Sequence, residues 1–209
     1  AITGSGATNP FDNSGIFYHL YGGAQTQFLV RASELYAAGL RPGNITSLGI
    51  RFASVSAQAY NSFSIGMQAT ANTDMSGGLN TGAFTSVYTA ASITPAAGIN
   101  TFALAPAFNW NGTSNIIIKM CWSNNNTGGT SNYAQGDGTL FVSCAYYRAD
   151  SQTPATICGT TSGTGTLSFR PQFYFGGTAA SCATARTAVT ATINPQPSAL
   201  ATSPVAVTM

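Results

Sequence analysis

Charge is what this chain has least of. Its 209 residues include five acids, seven bases and one histidine, His19. Charged residues make up 6%, against about 25% in an ordinary soluble domain. Acid–base, nucleophilic and metal chemistry therefore have little raw material, and an enzyme is not the expectation. Lysine occurs once, as Lys119, and no basic run exists, which argues against nucleic acid as a partner. No apolar run reaches the roughly 18 residues of a membrane-spanning helix, so membrane insertion is not expected. No C-x-x-C pair occurs, and His19 is far from every cysteine, which argues against zinc.

What is present is core-forming material. Hydrophobic residues are 44% and aromatics 11%, too much for a disordered chain. Threonine and the aromatics favour strands, while the 23 glycines and the many asparagines favour tight turns. The four cysteines, Cys121, Cys144, Cys158 and Cys182, all lie in the second half. An even count in such a chain suggests two disulfides, in one of three pairings, and an oxidising compartment, with free buried cysteines as the alternative. An extracellular or cell-surface location follows, and Ala1 would suit the residue left by signal cleavage.

Short period-two segments separated by turn residues run along the chain, as in a sandwich. Residues 1–15 read as an extended lead-in. Strands are expected at 16–21 (IFYHLY) and 27–31, then a short helix over 33–38 with Ser33 as N-cap and Gly39 just past its end. Leu48, Ile50 and Phe52 alternate with polar or small residues, as do Phe63, Ile65, Met67 and Ala69. Residues 72–82 read as a loop, 84–88 and 100–104 as strands, and 109–112 as a turn. The most apolar stretch, 116–122 (IIIKMCW), reads as a central strand. A long loop over 123–138 leads to a strand over 140–147. A loop over 153–164 follows, and then one late strand in which Leu167, Phe169, Phe173 and Phe175 share a face. Pro171 within it suggests an edge or a bulge. The expected fold is all-β: a two-sheet antiparallel sandwich, jelly-roll or immunoglobulin-like, with about ten strands. The sandwich domain spans 16–177, and 178–209 forms an extended C-terminal strand or linker. That tail has too few large apolar residues for a core of its own.

Several segments together resemble a known module: QFLVRASEL at 27–35, AGLRPGNITSL at 38–48, FNWNGTSNIII at 108–118, RPQF at 170–173 and CATARTAVTAT at 182–192. They resemble a β-sandwich module of secreted and surface adhesin-like proteins of Bacteroidota, exported by the type IX secretion route. The resemblance covers residues 16–192. It implies tandem arrangement with immunoglobulin-like repeats or with secreted hydrolases, and it supplies no catalytic residues. The 182–192 pattern resembles the junction into a following repeat, which implies a tail that engages a neighbour.

Each candidate site competes with a plainer reading. A hydrolase triad would need His19 as its base, but His19 sits in an aromatic motif that suits a packed histidine. Glu34, close to Arg31, reads as a structural ion pair or a helix-start charge. Asp74 and Asp137 lie in oxygen-rich loops that calcium would favour, or that form turns without an ion. Trp110, Trp122, Tyr133, Tyr146 and Tyr147 flank loops near Asn124, Asn125 and Asn126. Their rings would stack on sugar if exposed, or pack in the core if not. The tail residues Thr187, Val189, Ala191, Ile193, Val205 and Val207 alternate as in a strand that could be given to a neighbour. The expected function is therefore an extracellular structural and adhesive module. It would self-associate through the tail into a fibre or filament, or join neighbouring immunoglobulin-like domains. A carbohydrate-binding module of a secreted hydrolase is the alternative, with polysaccharide as partner.

Overall fold

Alternating Thr, Val, Ile and aromatic residues make pleated surfaces with one face to bury, and glycine- and asparagine-rich turns end them. The computed structural model describes residues 1–6 and 17–179. Among them are thirteen strands and two short helices, three strands and one helix more than expected. In chain order they are β1 (Ile2–Thr3), β2 (Gly23–Val30), α1 (Ala32–Ala37), β3 (Gly43–Ser54), β4 (Tyr60–Thr70), β5 (Thr85–Ile93) and β6 (Gly98–Trp110). Then come β7 (Asn115–Ser123), β8 (Tyr133–Ala134), β9 (Gly136–Gly138), β10 (Cys144–Ala149), α2 (Pro154–Gly159), β11 (Gly165–Leu167), β12 (Phe169–Pro171) and β13 (Phe173–Ala179).

Two antiparallel sheets form the sandwich. One has the order β1-β13-β3-β6, with β8 also paired to β3; the other is β11-β10-β2-β7-β4-β5. β9 and β12 make a small separate ladder. The fold is thus the all-β sandwich that the alternation implies. Its main core lies between the sheets and includes Phe28, Phe63, Ile65, Ile118, Met120 and Trp122 from one, and Ile45, Leu48, Ile50, Phe102 and Phe173 from the other.

A second, smaller core covers the outer face of the six-stranded sheet. Leu29 of β2, Ile117 of β7 and Ala145 of β10 pack there under Met75 and Leu79. This explains the run at 116–122: Ile116, Ile118 and Met120 point into the main core while Ile117 points into the second. Every residue of β2 is buried, Gln25, Thr26 and Gln27 included. Gln27 and Asn80 exchange hydrogen bonds, Nε2 to carbonyl at 3.0 Å and N–H to Oε1 at 2.7 Å. Gln25 donates to the Thr160 carbonyl at 3.0 Å. The loop over 72–82 and the segment after α2 therefore act as a lid on strands that would otherwise expose two apolar faces.

Several expectations are corrected. Among the described residues of 16–21 there is no strand but a turn, because its backbone is satisfied by the loop over 129–132 and by Tyr60 rather than by a strand partner. Phe17 inserts between the sheets, its ring 4.8 Å from Phe52 and 5.2 Å from Tyr60. The Tyr60 hydroxyl donates to the Phe17 carbonyl at 2.6 Å and accepts from Asn132 Nδ2 at 2.8 Å. The loop expected over 153–164 contains α2, started by Thr153, whose Oγ1 accepts from the Thr156 N–H, followed by a proline at the first turn. Ser33 is not the cap of α1. Arg31 is, because Glu34 reaches back to its N–H at 2.8 Å. Gly39 does follow the helix end, with φ +91°, a conformation glycine adopts without strain.

Asn109 and Trp110 complete β6 rather than turning, and β8 and β9 occupy part of the loop expected over 123–138. The strand expected over 140–147 begins only at Cys144, and Leu140 is fully exposed. The single late strand is three strands in three ladders, broken at Ser168 and Gln172; Pro171 closes β12 opposite Gly136. Residues 1–6 are not merely a lead-in, since Ile2 and Thr3 pair with Tyr174 and Phe173. β13 also continues past Gly177, reaching Ala179 opposite Gly43.

Tyr60→Phe tests the account of the turn. It removes the acceptor for Asn132 and the donor for the Phe17 carbonyl inside the core. Urea unfolding should show a loss of about 2 kcal/mol; an unchanged midpoint would mean that the turn is held by ring packing alone.

Candidate functional site

A sheet edge and a cleft beside α1 stand out on the described surface. β5 and β6 are the outermost strands of their respective sheets and are joined by the short segment 94–97, so both edges lie on one flank. Neither strand contains a charged residue. β6 is interrupted: its register against β3 slips between Ile45 and Ser47, and Pro106 lies in the slipped stretch. Proline and bulges are two ways in which proteins blunt a sheet edge. β5 has a register slip beside Val87, but residues 88–93 keep one register with β4, without proline or charge, and only Ala91 is unpaired there, opposite Ser62 with its φ of +53°. Among the described residues β5 pairs with β4 alone. About 20 Å of one strand edge thus has no strand paired to it among the described residues, with Thr89 and Ala91 exposed on its outer face and Tyr88 packed on Phe102 of β6, ring centroids 5.1 Å apart.

The cleft, of about 560 Å³, lies beside α1 and is lined in part by Arg31, Glu34, Asp137, Phe141 and Arg170. It gathers four of the chain's few charges, and each is engaged by the fold. Arg170, 5% exposed, donates from Nη1 to the Leu29 carbonyl and to Glu34 Oε2, and from Nη2 to Glu34 Oε1. Arg31 donates to the Thr73 carbonyl at 2.6 Å and stacks 3.6 Å above the Phe141 ring. Asp137 accepts from the Ser5 hydroxyl at 2.6 Å and the Gly6 N–H at 2.9 Å. Glu34 therefore belongs to Arg170 rather than to the Arg31 side chain. A pairing across 136 residues leaves no local trace in a sequence.

Of the cysteines, Cys121 and Cys158 form a disulfide, with Cα atoms 5.6 Å apart. Cys121 lies on the outer face of β7, and the bond ties α2 over it. Lys119 adds to the same attachment, donating to the Cys158 carbonyl at 2.6 Å, and burial pushes its pKa down. Cys144 is a free, buried thiol whose pKa is pushed up to about 12 by burial, so the expectation that it joins a disulfide is corrected. It points into the main core, away from the face that carries Cys121. Cys182 lies outside the described residues, as do Thr187, Val189, Ala191, Ile193, Val205 and Val207.

His19 is fully buried, its ring 4.9 Å from Trp122 and 5.7 Å from Tyr60, with Nε2 3.3 Å from Asn124 Nδ2. A Cβ on Gly129 would lie 2.6 Å from its Nδ1, so only glycine lets the neighbouring loop pass. Burial lowers the His19 pKa. Asp74 accepts from the N–H and hydroxyl of Ser76, a local turn. Asp74 and Asp137 therefore sit in separate places, each bonded to the chain, and among the described residues no group of three potential metal ligands occurs.

The expected sugar-stacking role of the tryptophans fails. Trp110 and Trp122 are 1% and 0% exposed, because both side chains face the main core. Tyr133 on β8 and Tyr146 and Tyr147 on β10 are half-buried, the last two packing against opposite faces of their sheet. Asn124 and Asn126 hold backbone turns, through Asn61 and Gly128. No protein family, curated protein or solved structure matches this chain.

Two measurements follow. Opening the Cys121–Cys158 loop of 37 residues by Cys121→Ala/Cys158→Ala should cost about 4 kcal/mol in urea unfolding. Cys144 should stay unalkylated until the protein unfolds. His19 provides the second: with its folded pKa below the ordinary 6.5, the unfolded chain takes up a proton that the folded chain refuses. Its contribution is intact above that value and is lost as pH falls below it. His19→Gln should flatten the pH dependence of the melting temperature between about pH 7.5 and 5.5. An unchanged slope would contradict this.

Proposed function

We propose that this chain is a non-enzymatic extracellular structural and adhesive module that associates by strand addition. Residues 187–193 of one copy pair with the open edge of β5 in the next copy, or with a sheet edge of a neighbouring immunoglobulin-like domain, building a fibre, filament or tandem array. The observation that supports this reading best is the uncharged, proline-free run 88–93 at the edge of a six-stranded sheet. Such an edge presents unpaired backbone N–H and C=O groups, which a donated strand satisfies; alternate side chains then set register. The alternation of Thr187, Val189, Ala191 and Ile193 supplies a segment of suitable length. A disulfide and a charge content of 6% are compatible with an extracellular setting. The resemblance to Bacteroidota surface modules belongs to the same proposal and rests on the sequence motifs.

Lysine on the edge is the direct test, because charge there blocks pairing without disturbing the core. Light scattering and electron microscopy of the full chain should show open-ended oligomers, and Thr89→Lys/Ala91→Lys should leave monomers with an unchanged melting temperature. A wild-type monomer at all concentrations, or an assembled double variant, would overturn the reading.

A further inference from the structure

Among the described residues, Arg148 is a buried cation without a counter-ion or a side-chain acceptor. It stands on the inner side of β10, two residues after Tyr146 and opposite Ala24 of β2. It is 8% exposed, and its Nε and Nη2 are buried with no hydrogen-bond partner. Other enclosed cations show what is missing. The buried Arg170 has Glu34 and a carbonyl, and the half-buried Lys119 has the Cys158 carbonyl. An unpaired buried guanidinium costs several kcal/mol. The rings of Tyr146 and Tyr18, 4.3 and 5.4 Å from Cζ, offset part of that. Ring contacts of this kind act on the face of the guanidinium and leave its in-plane N–H groups to be satisfied by something else.

Beside this group is a cavity of about 210 Å³, lined by Tyr18, Leu20, Tyr21, Tyr146, Arg148 and Thr164. At about 30 Å³ per water it has room for a group the size of several waters. Among the described residues no carboxylate lines it; nearby Asp150 accepts from the Gly22 N–H instead. Thr164 Oγ1 accepts from the Arg148 N–H at 3.2 Å, leaving the hydroxyl proton to donate. Leu20 and Tyr21, 57% and 37% exposed, form an open rim.

We propose that this pocket binds a carboxylate or sulfate group carried on a saccharide ring, with the anion on Arg148 and the sugar flanked by the tyrosines. A singly charged anion balances one guanidinium, whereas a phosphate monoester carries about −1.5 to −2 and no second cation lines the cavity. Tyrosines offer an apolar face and a hydroxyl together, which suits a ring bearing both C–H faces and hydroxyls. The site is independent of the strand-addition edge, since β2, β7 and β4 separate β10 from β5.

Isothermal titration of the full chain with glucuronate, glucose 6-sulfate, glucose and inorganic sulfate tests it. One or both acidic sugars should bind, and which one does distinguishes carboxylate from sulfate. Glucose should not bind, and inorganic sulfate should bind more weakly than the acidic sugar. Arg148→Met should weaken the acidic sugar at least about tenfold. Tyr21→Ala, at the rim, should also weaken it and serves if Arg148→Met does not fold. Absence of binding by both acidic sugars overturns the proposal. So does inorganic sulfate binding as tightly as the sugars, or affinity unchanged in a folded variant.

Discussion

The six-stranded sheet must be covered on both faces, and much of the molecule is arranged to do so. β2 and β7 sit at its centre; every residue of β2 is buried, and so is every residue of β7 except the half-buried Asn115 and Lys119. One face is met by the opposite sheet. The other is met by the loop over 72–82, by α2 and by the segment before β10. Fully burying an isoleucine, leucine or phenylalanine contributes about 1.5–3 kcal/mol, so Leu29 and Ile117 alone give the cover a substantial driving force. The Cys121–Cys158 bond, Lys119 and the two glutamines of β2 hold that cover in register. Each glutamine is buried at the centre of a sheet and would be costly there without its backbone partner.

Scarce charge follows the same logic. Arg170 and Glu34 join α1 to the β9–β12 ladder, and Arg31 holds the loop at Thr73. Asp137 secures the N-terminal residues through Ser5 and Gly6. Charge in these places acts as an internal fastener rather than as a solvating surface. The flank formed by β5 and β6 receives none; both strands have a register slip, but only β6 carries a proline in it, and the slip of β5 lies before residues 88–93. The proposed assembly rests on that asymmetry. Arg148 is the exception to the pattern, a buried charge that no fastening role explains.

Much of the sandwich was legible in the sequence where one periodicity governs one face. Phe63, Ile65 and Met67 on β4 and Leu48, Ile50 and Phe52 on β3 alternate as half-buried strands do, and they are buried as expected. Gly39 marked the end of α1, and the apolar run at 116–122 marked the central strand. Ala69 kept the alternation but is exposed, because the strand runs past the core there. What was not legible depended on distant partners. The motif over 16–21 alternates like a strand, yet Tyr60 and Asn132 take its backbone bonds. The Thr153–Pro154 start of α2 was a readable signal, hidden by the loop-like composition around it. Trp110 and Trp122 flank turns in sequence, and only the fold shows that both rings point inward. Arg148 carried no sequence signal, since its isolation is a property of its neighbours.

Hydrogen exchange of the native full chain, followed amide by amide at low and high protein concentration, tests the central claim most directly. The account predicts that amides of 88–93 and of 187–193 become protected together as concentration rises, while those of β2 and β7 are slow throughout. Amides of 88–93 that exchange fast at every concentration, or that gain protection without residues 187–193, would contradict it.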